Sequence, residues 1–163
     1  MKKTQAMRVL EGRGIGYRVV EYDPSGAFHT GEEAAALVGA APESVFKTLV
    51  VLREGDAGAK PMLVMVPVAR EVDLRLLASQ VGAKRVRMAS QKEAERLTGM
   101  QVGGISALGL QQPERFEVVL DESARGLERV HVSAGARGID LDLAVGDLMS
   151  VAAARFVRAA AEL

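Results

Sequence analysis

Cysteine and tryptophan are absent from this chain, and aromatic residues are scarce, with two tyrosines and four phenylalanines. Without cysteine there are no disulfides, no thiolate nucleophile and no thiol-ligated metal. The two histidines, His29 and His131, have no nearby set of carboxylates at ligand spacing, so neither a metal nor a cofactor is expected. A basic start, Met1-Lys2-Lys3-Thr4-Gln5, is followed by no long apolar run. Signal-peptide and membrane-spanning readings therefore fail, no membrane partner is expected, and the cytoplasm is the expected compartment. Nor is either charge in excess: 21 Lys and Arg balance 21 Asp and Glu. A protein that holds nucleic acid tightly by itself normally shows a basic excess. The one dense basic cluster, Lys84-Arg85-Val86-Arg87, also reads as a solvated strand edge. Any nucleic-acid contact should thus be local, weak and helped by another protein.

What is present describes a globular chain. Its 163 residues are 48% hydrophobic and 26% charged, enough for one domain over 1–163 with its own core. Helical spacing runs over 4–12, and 17–22 alternates like a strand. An alanine-rich helix is expected over 31–38 and a helical turn over 41–44. Strands follow at 45–52 and 61–68. Asp73 caps a helix that Gly82 stops, and Ser90 with Glu93 forms a capping box for a helix ending near Gly99. Further strands are expected at 116–120, 130–133 and 139–143, and Asp147 opens an alanine-rich C-terminal helix. The pattern predicts one α/β domain with a mixed sheet.

Three segments stand out chemically. Val45-Phe46-Lys47-Thr48-Leu49-Val50-Val51-Leu52 places a cation at the start of an apolar strand. Lys47 must snorkel to water, pair with an anion or lose its proton. Gln101-Val102-Gly103-Gly104-Ile105-Ser106-Ala107-Leu108-Gly109 has three glycines and no charge. Paired glycines let backbone N–H groups approach a ligand, and a donor aimed at an ester oxygen is worth roughly 3–4 kcal/mol; a bulge or tight turn is the plainer reading. Ser133-Ala134-Gly135-Ala136-Arg137-Gly138-Ile139-Asp140 is a second glycine turn ending in an acid. Asp140 can pair with Lys47, grip a substrate amine, or sit solvated on its strand.

Tempting motifs do not hold. Ser44-Val45-Phe46-Lys47 fits S-x-x-K, but neither S-D-N nor K-T-G accompanies it. Gly104-Ile105-Ser106-Ala107 begins like a serine elbow, yet Leu108 stands where its last glycine belongs. Gly12-Arg13-Gly14-Ile15-Gly16 has the wrong spacing for a dinucleotide loop. Hydrolysis here needs a route without an obvious enzyme nucleophile.

The set Val45-Phe46-Lys47-Thr48-Leu49, Val102-Gly103-Gly104-Ile105-Ser106 and Val132-Ser133 with Arg137-Gly138-Ile139-Asp140 resembles the YbaK/EbsC family. Those proteins are free-standing relatives of the editing domain inserted in bacterial prolyl-tRNA synthetase. The likeness runs from the first helix, through Glu21-Tyr22-Asp23-Pro24, to Val145-Gly146-Asp147-Leu148, and is greatest to the Cys-tRNA(Pro) deacylases. It implies a curved mixed central sheet flanked by helices, with trans-editing of mischarged tRNA and no cofactor. In the family, the lysine matching Lys47 holds the aminoacyl-tRNA terminus and favours attack on the ester. The substrate's own thiol is the proposed nucleophile in the cysteine-specific branch. The resemblance further implies that Gly103 and Gly104 orient the carbonyl, and that Tyr22, Thr48, Ser133 and Asp140 line the amino-acid pocket, with Ser106 and Thr30 as further substrate contacts. Prolyl-tRNA synthetase is a candidate assisting partner.

Two departures bear on the substrate. Ala107 stands where the family's loop carries a proline, which should leave the loop looser. Thr30, beside Phe28 and His29, stands where cysteine-specific relatives have an aromatic residue. Deacylation of Ala-, Ser- or Thr-charged tRNA stays open, as does a non-catalytic module binding a nucleotide or aminoacyl adenylate.

Overall fold

A computed structural model describes residues 2–24, 35–36 and 38–162. Thr30, Phe28, His29 and most of the helix expected over 31–38 lie outside the described residues.

Helix α1 (Gln5–Gly12) starts where Thr4 accepts the Met7 N–H, and it buries Ala6, Met7 and Leu10 along one stripe. Strand β1 (Arg18–Glu21) follows, then a 3₁₀ turn at Pro42–Ser44 and the hairpin of β2 (Phe46–Arg53) and β3 (Met62–Pro67). All six residues of β3 are buried, as their unbroken apolar run requires of a central strand. Helix α2 (Leu74–Val81) is capped by Asp73 and closed by Gly82 at φ +72°. Strand β4 (Val86–Met88) leads to α3 (Gln91–Thr98), which begins with the Ser90–Glu93 capping box. Strands β5 (Glu117–Asp121), β6 (Arg129–Ser133) and β7 (Ile139–Ala144) precede α4 (Val145–Ala152) and β8 (Arg155–Val157).

The strands divide into two sheets. One is antiparallel, in the order β1-β7-β6; the other is mixed, in the order β4-β2-β3-β5-β8. Strand β2 runs antiparallel to β3 and β4, while β5 is parallel to β3 and to β8. A lone parallel bridge, Val45 to His131, joins the sheets among the described residues. The basic cluster straddles the start of β4, an edge strand, where Arg87 pairs with Glu93.

A first core fills the space between the sheets, taking Phe46, Val50 and Met65 from one and Val132, Leu141 and Leu143 from the other. A second lies on the far face of the mixed sheet, where Val51, Val64 and Val66 meet Leu77 and Ala78 of α2. A small third cluster of Ala35, Val38 and Val45, with Val20, Tyr22 and Val68 packed on it, sits where β1 approaches the start of β2.

The C-terminal helix differs from expectation. It begins at Val145, with Asp147 inside its first turn, and it ends at Ala152. Ala153 adopts φ +50° and turns the chain into β8, which had read as helix. Alanine is the strongest helix former, but intrinsic propensity is small, and pairing along β5 with burial of Val157 outweighs it.

Candidate active site

Strand β7 reads Ile-Asp-Leu-Asp-Leu, and its pleat sends Leu141 and Leu143 into the first core. Asp140 and Asp142 therefore share the opposite face. Asp140 lies between Val20 of β1 and Ser133 of β6, its register partners. It is only 6% exposed, and no hydrogen bond or ion pair reaches its carboxylate among the described residues. Burial alone raises its pKa to about 6.

Tyr22 continues β1 past Asp140. Its N–H donates to the Gly138 carbonyl, and burial followed by the Asp140 charge pushes its phenol above the usual range. Gly138 has to be glycine here: at φ +87°, a Cβ would lie 2.9 Å from the Tyr22 carbonyl oxygen. The Ser133 hydroxyl accepts the Gly135 N–H and holds the β6–β7 turn in shape.

The glycine loop abuts that same turn. A Cβ on Gly104 would lie 2.7 Å from the Arg137 nitrogen and 2.8 Å from the Ala136 carbonyl carbon. Gly104 is therefore glycine so that two backbones can touch. Its N–H is committed to the Gln101 carbonyl, 2.8 Å away, which leaves it unable to serve as a carbonyl donor. Gly103 differs: it is exposed at φ +93°, and its N–H has no partner among the described residues. Ser106 is fully buried and its hydroxyl accepts the Leu108 N–H. It shapes the loop from within, its Cβ 3.9 Å from where a Cβ on Gly135 would sit. Residues 104–110 are all buried, so packing restrains a loop in which Ala107 replaces a stiffening proline.

Lys47 stands opposite Val66 and shares a face of β2 with Val45, a member of the third cluster alongside Val20 and Tyr22. Lys47 and the Tyr22–Asp140 group thus flank one apolar floor. The two charges do not pair. The Lys47 ammonium lies 3.3 Å from Glu71, whose side chain is 85% exposed, and no ion pair joins it to Asp140. An ion pair so exposed is worth about 0–1 kcal/mol, which leaves Lys47 available to an anionic ligand. Thr48 faces the other way, with Phe46 and Val50, and its buried hydroxyl has no partner.

Tyr22, Gly103, Ser133 and Asp140 are gathered at one end of the antiparallel sheet, with Lys47 beyond the shared floor, while the Ser106 hydroxyl is engaged within its own loop. One residue here carried no sequence signal, and a second only part of one. Glu71 lies 24 positions from Lys47, and only the fold brings it near. Arg137 was visible as part of its motif, but its place over Gly103, 3.5 Å from where a Cβ would sit, depends on the turn.

Residues 26–151 match the profile of the aminoacyl-tRNA editing domain. The chain belongs to that family. An Enterococcus faecalis protein provisionally named Cys-tRNA(Pro)/Cys-tRNA(Cys) deacylase EbsC is 32% identical over 155 residues, 95% of this chain and 92% of that one. A proline–tRNA ligase of Limosilactobacillus fermentum is 28% identical over 112 residues, which span 68% of this chain but 19% of the ligase. A crystal structure described as a proposed trans-editing enzyme for prolyl tRNA synthetase superposes with a TM-score of 0.79 at 28% identity, covering 99% of this chain and all of that one. The chain is an aminoacyl-tRNA editing enzyme on a mixed α/β fold shared with these relatives.

Proposed function

We propose that this protein deacylates mischarged tRNA in trans, with Cys-tRNA(Pro) as its principal substrate and prolyl-tRNA synthetase as the enzyme it serves. The observation that carries the reading is Asp140, a carboxylate buried without a cationic partner beside the third cluster. Above pH 6 it is ionised and suited to receive the α-ammonium of an esterified amino acid, while Tyr22 and Ser133 wall the side-chain space. Gly103 donates its N–H to the ester carbonyl as negative charge develops there. Lys47 leaves Glu71 to hold a phosphate or ribose oxygen of the terminal nucleotide.

With no serine elbow and no cysteine in the chain, the nucleophile comes from the substrate. The thiol sulfur bonds to the carbonyl carbon, the ester C–O bond breaks, and the thiol proton passes to the departing ribose oxygen. The products are a thiolactone and free tRNA. Support comes from family membership and from the EbsC and ligase relatives.

Release of amino acid from Cys-, Ala-, Ser- and Thr-charged tRNAs tests the reading, and cysteine is expected to leave fastest. Lys47→Ala should lower kcat/KM at least about 100-fold with an unchanged circular dichroism spectrum. Wild-type turnover by a folded Lys47→Ala protein would remove Lys47 from the mechanism. Binding of tRNA with no release of amino acid would instead favour a non-catalytic module.

A further inference from the structure

Away from Lys47 and Asp140, a cleft of about 510 Å³ opens between α3 and the segment that returns from the glycine loop. Its rim carries three exposed cations: Lys60 before β3, Arg96 on α3 and Arg115 in the 3₁₀ turn ahead of β5. None of the three has an ion pair or a side-chain hydrogen bond among the described residues. That sets them apart from Arg18, Arg53, Arg87, Arg125, Arg129 and Arg155, all of which are held by carboxylates. Gln111 and Gln112 add amide donors, Leu97 and Phe116 supply an apolar wall, and Glu114 is the only acid lining the cleft. The lining is therefore net positive by two charges on a chain whose net charge is zero.

We propose that this cleft is a second substrate subsite, which binds an RNA phosphodiester and an adjoining base of the tRNA. The assignment rests on the editing reading above. Cations free of internal partners give up no ion pair on meeting a phosphate, and a partly buried aromatic beside them offers a face for a base. Its position suits a second contact. Thr98, just before the glycine loop, and Leu110, just after it, both line the cleft, so RNA seated there touches both stems of the loop that carries Gly103.

The test uses the full chain with Lys60, Arg96 and Arg115 all changed to Gln. A second protein, with Arg8, Arg13 and Arg75 changed to Gln, removes equal charge from exposed positions elsewhere. Fluorescence anisotropy with labelled tRNA across a salt series is expected to show the cleft variant binding at least about tenfold more weakly at 50 mM salt. Its plot of log affinity against log salt should be shallower by about two, as loss of two or three phosphate contacts demands. With mischarged tRNA its KM should rise while kcat stays within about threefold. An unchanged affinity and salt slope in the cleft variant, or an equal loss in the second protein, overturns the proposal. Wild-type turnover is read separately: deacylation by a wild type whose cleft variant binds normally sinks this subsite alone. Cleft-dependent binding without deacylation sinks the catalytic reading alone.

Discussion

Asp140 and Asp142 lie two residues apart on one face of β7, and both are buried, at 6% and 1% exposure. Their surroundings are opposite. Arg18 donates to Asp142 through Nε, at 2.9 Å, and through its terminal nitrogen. Arg129 donates to the other carboxylate oxygen at 2.8 Å and to the Asp142 carbonyl at 3.0 Å. These bonds outweigh burial and hold the Asp142 carboxyl below its usual range. No such partners reach Asp140, and burial raises its pKa to about 6. Burial alone therefore does not separate a structural aspartate from one poised to act. The satisfied carboxylate fastens β1 and β6 to β7, whereas the unsatisfied one is kept against its own electrostatic cost, as expected at a functional site.

The sharpest way to break the contrast is Asp140→Asn. Loss of the ammonium contact should lower kcat/KM about 100-fold on mischarged tRNA, and the folded protein should become more stable at neutral pH. An unfolded aspartate ionises near 3.8, while folded Asp140 keeps its proton to about 6. Between those values the folded state binds more protons, so this residue makes stability fall as pH rises, by up to about 3 kcal/mol. Urea titrations from pH 4 to 7 should show that slope in the wild type and not in the variant. The acid limb of kcat/KM, near pH 6 in the wild type, should disappear with it. An Asp140→Asn protein with wild-type activity and no gain in stability would erase the distinction.

Asp142→Asn should act in reverse. It weakens charge-assisted bonds to two arginines that can turn to solvent, which costs about 2 kcal/mol at pH 7 and appears as a lower Tm. The stability that Asp142 supplies is present at neutral pH and is lost only as the pH falls through its lowered pKa. Editing by the folded variant should stay within about threefold of wild type. Arg18→Gln should have the smallest effect, about 0.5–1 kcal/mol, because the Arg18 side chain is 77% exposed and Arg129 still holds Asp142. A larger loss than for Asp142→Asn would show that Arg18 has a task beyond this pair.

Strands such as β2 and β3 were legible because their apolar runs are long and bounded by turns, and α3 because its capping box lies in plain sequence. The short strand β8 was not, since an alanine-rich run carries no sign that β5 awaits a parallel neighbour. The chemistry of the site followed the same division. Lys47 and the glycine pair announced themselves locally, and the alternation of β7 placed both aspartates on one face. Which aspartate is satisfied is a matter of register, for Arg18 meets Asp142 across 124 residues of chain. Gly104 taught a related lesson: a glycine pair suggests close approach, but only the fold shows that one member approaches backbone and the other is open.

The bridge from Val45 to His131 carries one more implication. It is a seam between two independently hydrogen-bonded halves, with Lys47 stitched to one and Asp140 to the other. The gap between Lys47 and Asp140 is therefore gauged by the apolar floor they flank, Val45 and Val68 among its residues. Enlarging or trimming those residues should resize the opening while Lys47 and Asp140 each keep their own scaffold.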